Sequence, residues 1–376
     1  LRPIQPLTCA FVLGTRPEAI KLAPVVLAMR AQPHLFRPLL WVTGQHRELL
    51  DQVLQVFGLT PDADFALMQA NQSQASLVGK ILLALDPLLA AERPDWLLVQ
   101  GDTSSALAGA LAGFYGGVKV AHVEAGLRTY NLAAPYPEEG NRQLISRIAS
   151  LHCAPTDIAV HQLLAEQIPQ QQVVQTGNTV VDAIRWVAAR HTALPPLPAA
   201  WQAAGCRLVL TTLHRRESFG ATLTGMLHAI RALAEDDALN LAFVFPVHPN
   251  PNVRQLVHDI LGGCARIALL PALGYTELAA VLAHSWLVLT DSGGLQEEGP
   301  SLHKPVLVLR DVTERPEGVT SGAAELAGTD PQRLMAAVRR LANDDAAYQR
   351  MAQAHNPYGD GAAAAAILAA LHAHAA

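Results

Sequence analysis

The sequence predicts an α/β protein built from two doubly wound parallel sheets, on three observations. Short apolar runs recur along the chain, each followed by an Ala/Leu-rich stretch of helical length, the pattern of strands covered on both faces. At 376 residues the chain is long for one domain and suits two. A composition that is 51% hydrophobic and 16% charged supplies a sizeable core and argues against disorder.

The strands are read in two series. The first lies at residues 8–13, 38–43, 96–100, 118–123, 150–154 and 173–175, the second at 207–212, 242–246, 266–269, 286–290 and 305–309. The run at 7–13 is short and has no basic leader, so it reads as a first strand and not as a signal peptide. Prolines 195, 196 and 198 stop any helix between the series. A strand and a helix precede them, so the domain junction is expected at residues 175–179. That gives a first domain of 1–175 plus 356–376 and a second of 176–355. The last segment, 362–376, reads as an alanine-rich helix whose His372 and His374 are a solvated tail with no metal.

Bulk numbers narrow the partners. Net charge is -5 with 27 Lys+Arg, so no basic field exists to hold nucleic acid. Cys9, Cys153, Cys206 and Cys264 are scattered without a C-x-x-C pair, which suits a reducing cytoplasm. No run approaches the ~18 uninterrupted apolar residues of a membrane helix.

The most informative stretch is 286–298. An apolar run ends in Asp291-Ser292-Gly293-Gly294, and a helical segment carrying Glu297 and Glu298 follows. A strand emptying into a glycine turn points the next helix's N–H groups at an anion, and glycines let backbone approach it closely. Glu298 is suited to sugar hydroxyls, so the pair of features fits a nucleoside diphosphate.

Ligands of parallel sheets gather where strands end, and here the strand exits are polar. After the first come Arg16, Pro17 and Lys21, two cations beside a helix N-terminus where the macrodipole disfavours them, which suggests an anionic ligand. Later exits carry Gln45-His46-Arg47, Asp102-Thr103, His122-Val123-Glu124, Glu138-Glu139, His214-Arg215, His248 and Arg315. Asp102 alone reads equally well as a helix cap. Asp102, Glu124, Glu138 and His214 supply candidate acids and bases. No Cys/His spacing suits a metal and no G-x-S-x-G elbow occurs. Gly359-Asp360-Gly361 imitates a dinucleotide fingerprint, but no strand leads into it, so no nicotinamide cofactor is expected.

Taken together these segments resemble the UDP-N-acetylglucosamine 2-epimerases. The matches run in order through residues 14–24, 43–53, 101–103, 122–129, 137–142, 214–220, 246–253, 291–298, 304–316 and 356–361. The resemblance implies the GT-B fold, two Rossmann-like parallel-sheet domains facing a central cleft, with the C-terminal helix crossing back to the first. It implies that Asp102, Glu124 and Glu138 are catalytic carboxylates and His214 the active-site histidine. Arg16, Lys21, Ser292, Gly293, Gly294, Glu298 and Arg315 then match substrate-binding positions. Two positions depart from the family pattern. Leu278 stands where an aromatic residue near uracil is common, and Leu213 where glycine precedes the histidine.

The implied reaction is reversible inversion at C2 of UDP-N-acetylglucosamine by elimination and re-addition of UDP. The C2 proton has no adjacent carbonyl, so direct deprotonation cannot invert that centre, whereas UDP leaves readily when its charge is held. The non-hydrolysing branch is the closer match. Alternatives are the hydrolysing branch, which releases N-acetylmannosamine and UDP, a GT-B glycosyltransferase, and a non-catalytic nucleotide-sugar sensor. The family further implies a homodimer, a role in surface polysaccharide assembly, and UDP-N-acetylglucosamine as an allosteric activator. Gln45, His46, Arg215 and His248 lie in segments that suit the activator.

Overall fold

The computed structural model describes residues 5–44, 47–69, 72–214 and 220–375. The chain divides into two compact units, Leu1–Ala183 with Gly359–Ala376, and Ile184–Tyr358.

In the first unit, β1 (Leu7–Leu13), β2 (Phe36–Val42), β3 (Ala63–Asp64), β4 (Trp96–Gln100), β5 (Lys119–Val123), β6 (Leu151–Ala154) and β7 (Val173–Gln175) form one parallel sheet. Its order is β3-β2-β1-β4-β5-β6-β7. Connecting helices are α1 (Arg16–Arg30), α2 (Arg47–Val56), α3 (Gln74–Glu92), α4 (Ser104–Tyr115), α5 (Glu138–Ile148) and α6 (Asp157–Ala165). Helix α7 (Thr179–Arg190) carries the chain out of the unit. The division falls inside it, downstream of the expected 175–179 junction.

The second unit opens with the short α8 (Ala199–Ala203) and repeats the same winding. Its strands are β8 (Arg207–Thr212), β9 (Leu241–Pro246), β10 (Ile267–Leu270), β11 (Leu287–Thr290), β12 (Val306–Val308) and β13 (Ala324–Leu326), in the order β10-β9-β8-β11-β12-β13. Helices α9 (Ala221–Ala234), α10 (Pro251–Leu261), α11 (Tyr275–His284), α12 (Gly293–Ser301) and α13 (Pro316–Thr320) alternate with them. α14 (Pro331–Asn343) and α15 (Asp345–Ala352) follow, and α16 (Ala363–Ala373) returns to the first unit.

The central strands are mostly buried, β4 along its whole length, because helices cover both faces. That burial is why the apolar runs are continuous. β3 and β13 escape the sequence reading because they contain two and three residues at the sheet edges, too few to leave a run. Helix α3 has 19 residues and a mean hydropathy of 1.4, long and apolar enough on average to span a membrane although charged residues interrupt it. Its Leu77, Ile81, Leu85 and Leu89 recur every fourth residue and are buried in the core of the first unit.

The C-terminal helix is fixed within the first unit by Asp182 of α7, whose carboxylate accepts from the Ala363 and Ala364 N–H groups at 3.3 and 3.0 Å. Ala362, at the cap position, has no side-chain oxygen to do this. Burial raises the Asp182 carboxyl. The two tail histidines are used in packing. His372 meets Phe36 edge-on and His374 Nε2 lies 2.7 Å from the Gln171 carbonyl.

After β5 the backbone turns through Glu124 at φ 63 and Gly126 at φ 96. A Cβ on Gly126 would stand 2.4 Å from the Ala159 carbonyl oxygen, a backbone atom that cannot step aside. Gly126→Ala is therefore expected to cost about 2–3 kcal/mol through the turn's strain and this collision. Urea unfolding followed by circular dichroism measures it; a loss near zero would show that the turn relaxes.

Candidate active site

Each sheet has one pair of neighbouring strands from which the connections depart in opposite directions, the position where doubly wound folds bind ligands. In the first unit these are β1 and β4, in the second β8 and β11.

At the first, backbones approach closely. A Cβ on Gly14 would lie 2.3 Å from both Ser105 Oγ and Thr43 Oγ1, which sit 3.0 Å from each other. Glu18, on the first turn of α1, accepts from the Gly14 and Thr15 N–H groups at 2.9 and 2.7 Å and from Thr103 Oγ1 at 2.6 Å. One buried carboxylate thus closes the capping box of α1 and ties it to the exit of β4. Burial pushes its carboxyl above the ordinary range, against those hydrogen bonds.

The exit of β4 is held residue by residue. Gln100 Nε2 donates to Glu124, the Gly101 carbonyl lies 2.7 Å from His122 Nε2, and the Asp102 carbonyl accepts from Asn141 Nδ2 at 2.8 Å. The Asp102 carboxylate pairs with Arg142 at 2.7 Å. Thr103 Oγ1 caps α4 by accepting from the Ala106 N–H, so the capping reading of Asp102 is overturned. Its carboxylate is left to Arg142.

Glu124, at the exit of β5, accepts from Lys21 Nζ at 2.5 Å and from Asn178 Nδ2 at 3.2 Å as well as from Gln100. Lys21, expected near a diphosphate, is thus brought to a carboxylate. Arg16 opens α1 beside it in sequence and is partly buried. Glu138 begins α5 one turn ahead of Asn141 and Arg142, the residues that hold Asp102. Its neighbour Glu139 is fully buried and accepts from the Thr129 and Tyr130 N–H groups and from Gln143. Burial pushes Glu139 up, but these bonds and Arg142 outweigh it and hold the carboxyl below its ordinary value.

In the second unit, Asp291 at the exit of β11 is fully buried; it accepts from the His214 backbone N–H at 2.8 Å, and its other oxygen lies 2.9 Å from the ring's Nδ1. His214 stacks on His248 with ring centroids 6.0 Å apart. Ser292 is the N-cap of α12, and its side chain makes no cap bond. Gly293 and Gly294 are not a loop, as the sequence suggested, but the first residues of the helix, and neither needs a left-handed backbone. A Cβ on Gly294 would meet nothing closer than Ser292 Oγ at 4.0 Å. Their lack of side chains leaves the helix N-terminus bare. Glu298 is buried in the same helix, and Arg315 pairs with the buried Glu297.

The structure therefore gathers Lys21, Asp102 and Glu124 in the first unit, with Glu138 on the adjoining helix. In the second it gathers His214, His248, Ser292, Gly293 and Gly294 around one strand pair. Gln45, His46 and Arg215 lie outside the described residues. Glu18, Gln100, Asn141, Arg142 and Asn178 are neighbours of these residues that the sequence reading did not single out, and His122, Asp291 and Glu297 are ones that it quoted without a role. Most flank residues that it did single out. Among the described residues no group of three His, Cys, Asp or Glu is placed to hold a metal.

The family model for UDP-N-acetylglucosamine 2-epimerase matches residues 28–372. The chain is 48% identical over 368 residues to the UDP-N-acetylglucosamine 2-epimerase of Salmonella typhimurium, covering 96% of this chain and 97% of that one. It is 46% identical over 366 residues to the Escherichia coli enzyme of the same name, covering 96% and 97%. Among solved structures, the Neisseria meningitidis UDP-GlcNAc 2-epimerase bound to UDP-GlcNAc superposes with a TM-score of 0.82 at 39% identity, covering 97% and 99%.

Beneath the first strand pair, His122 and His152 face each other across β5 and β6, both buried. Burial lowers His122 to about 4 and His152 to about 3 from an ordinary 6.5. The folded pKa values lie below the unfolded ones, so as pH falls below 6.5 the unfolded chain takes up protons that the folded one refuses. Stability is then lost by up to about 1.4 kcal/mol per pH unit for each histidine until its folded pKa is reached. Urea unfolding between pH 6.5 and 5 is expected to show this fall, and His152→Phe to remove roughly half of it. An unchanged slope in the variant would show that His152 titrates normally.

Proposed function

The chain belongs to the UDP-N-acetylglucosamine 2-epimerase family, and on that footing we propose that it interconverts UDP-N-acetylglucosamine and UDP-N-acetylmannosamine without hydrolysing either. The observation that carries this reading is the grouping of carboxylates at neighbouring strand exits in different electrostatic settings. Proton abstraction and return on opposite faces of one carbon require groups that are not interchangeable. Glu124 already accepts from Lys21, Gln100 and Asn178, so it has the least capacity for a transferred proton and serves as a fixed charge. Asp102, on Arg142, and Glu138, with no hydrogen-bond partner among the described residues, are the groups that exchange protons with C2.

In the first half-reaction a carboxylate takes the C2 proton, the C2–H pair becomes the C1=C2 double bond, and the anomeric C–O pair leaves with UDP. Ser292, Gly293, Gly294 and the N-terminal N–H groups of α12 receive the diphosphate, Glu298 the ribose, with Arg16 and Arg315 as further cations. Return of the proton from the opposite face and re-addition of UDP complete the inversion with no net consumption. The reading includes cytoplasmic location and a second UDP-N-acetylglucosamine as activator at Gln45, His46, Arg215 and His248. It also includes a homodimer. Exposed Leu83, Phe114 and Tyr115 on α3 and α4 supply an apolar surface suited to one.

Proton NMR of the protein with UDP-N-acetylglucosamine in heavy water tests the reaction. UDP-N-acetylmannosamine deuterated at C2 is the expected product; free N-acetylmannosamine with UDP would replace this reading by the hydrolysing one. Asp102→Asn and Glu138→Gln are each expected to lower kcat by about 10²–10⁴, and near-normal turnover in both would remove them from the mechanism. Arg315→Ala is expected to weaken UDP binding and also to destabilise, since it takes a cation away from the buried Glu297. Calorimetric titration and thermal unfolding separate the two effects.

A further inference from the structure

Beyond the groups that would touch substrate, the second unit contains a buried carboxylate placed against His214. Asp291 follows β11 and His214 follows β8, neighbours paired in parallel through Thr290 and Thr212. The Asp291 side chain is fully buried, yet it spans both donors of His214: Oδ2 is 2.8 Å from the backbone N–H and Oδ1 is 2.9 Å from Nδ1. The ring nitrogen and the carboxylate oxygen are thus at ion-pair distance, a contact that a proton on Nδ1 makes favourable and a lone pair there would make repulsive. Nε2 is then the nitrogen left for a ligand, on a side chain that is 39% exposed.

We propose that Asp291 is a positioning residue that fixes His214 in its Nδ1–H tautomer and presents Nε2 to the ligand; the catalytic part of this rests on the epimerase reading above. Two further features support it. Asp291 directly precedes Ser292, the N-cap of α12, so the residue that holds the imidazole also begins the turn proposed to receive the diphosphate. On its other side the ring meets His248, at 6.0 Å and an interplanar angle of 16°. The Asn250 N–H donates to His248 Nδ1, so that neighbour, when neutral, has the opposite tautomer, protonated at Nε2. His214 is thus held at its backbone and at Nδ1 by one group, and its face is covered by another.

In the proposed reaction the C–O electron pair arrives on a diphosphate oxygen. The ring takes up a proton at Nε2 as the anionic substrate binds, donates it to that oxygen and takes it back when UDP adds back, so no proton is consumed. The buried negative charge of Asp291 offsets the positive charge on the ring throughout, and holding one tautomer removes the cost of turning the ring at the moment of reaction.

Asp291→Asn tests this with little change of shape. An amide has one acceptor oxygen for two donors, so it cannot satisfy both the backbone N–H and Nδ1–H. In ¹⁵N-histidine-labelled, unliganded protein, long-range ¹H–¹⁵N spectra are expected to show the Nδ1–H tautomer for His214. The variant is expected to lose it wholly or in part. The variant is also expected to lose about 10²–10⁴ in kcat with KM for UDP-N-acetylglucosamine changed far less. Asp291→Asn combined with His214→Ala should be no slower than His214→Ala alone, because a group acting only through another adds nothing once that other is gone. An Nε2–H tautomer in the wild type overturns the proposal even if the variant fails to fold. Losses that multiply in the double variant, or a loss confined to KM, overturn it too. A wild-type protein inert toward UDP-N-acetylglucosamine, with the expected tautomer, would overturn the epimerase reading and leave the Asp291–His214 assignment standing.

Discussion

Much of the first unit's site depends on the carboxylate of Glu124. Its oxygens accept from Lys21 on α1, Gln100 at the end of β4 and Asn178 ahead of α7, three elements far apart in sequence. Glu124 adopts φ 63, a conformation that a non-glycine residue holds only when its surroundings compensate for it. Here the compensation is the set of charged and amide donors, largely shielded from water. Removing Lys21 would leave that charge buried without its cation, which is far costlier than losing a surface pair.

The two units solve one structural problem in the same way. Where connections leave a parallel sheet in opposite directions, a gap opens lined by backbone N–H groups that need partners. In the first unit Glu18 fills that role for Gly14 and Thr15 and reaches Thr103 across the gap. In the second, Asp291 does so for the backbone and ring of His214, above a 2.6 Å hydrogen bond between Thr212 and Thr290. Both carboxylates are buried acceptors at strand exits. Each ties one strand exit to its neighbour, and each lies next to residues assigned to substrate.

Much of the fold is legible in the sequence because a strand covered on both faces must be apolar along its length. Nearly all long strands announce themselves that way, from Phe11 and Leu98 in the first sheet to Val244 and Val288 in the second. β3 and β13 do not, since two or three edge residues contribute little burial and leave no pattern. The glycines after β11 show the limit of a local rule. A Gly-Gly pair suggests a turn, but what this place requires is the absence of a side chain at the start of a helix. The polar strand exits were legible for a related reason: charges placed against a helix dipole, or just beyond a buried strand, need an explanation that packing does not supply.

The sequence by itself determined the two parallel sheets and the set of polar residues at strand ends. Those follow from burial, from period and from chain connectivity, all of them properties of short segments. Only the tertiary structure decided which charges meet. Lys21 faces Glu124, Arg142 holds Asp102, Thr103 takes the cap that Asp102 might have filled, and Asp291 holds His214. The Thr103 cap apart, such pairings join residues from tens to about a hundred positions apart, and no local pattern encodes them. They arise because a buried donor or charge must find a partner once the sheets have formed, and the partner is whichever group the fold brings within reach.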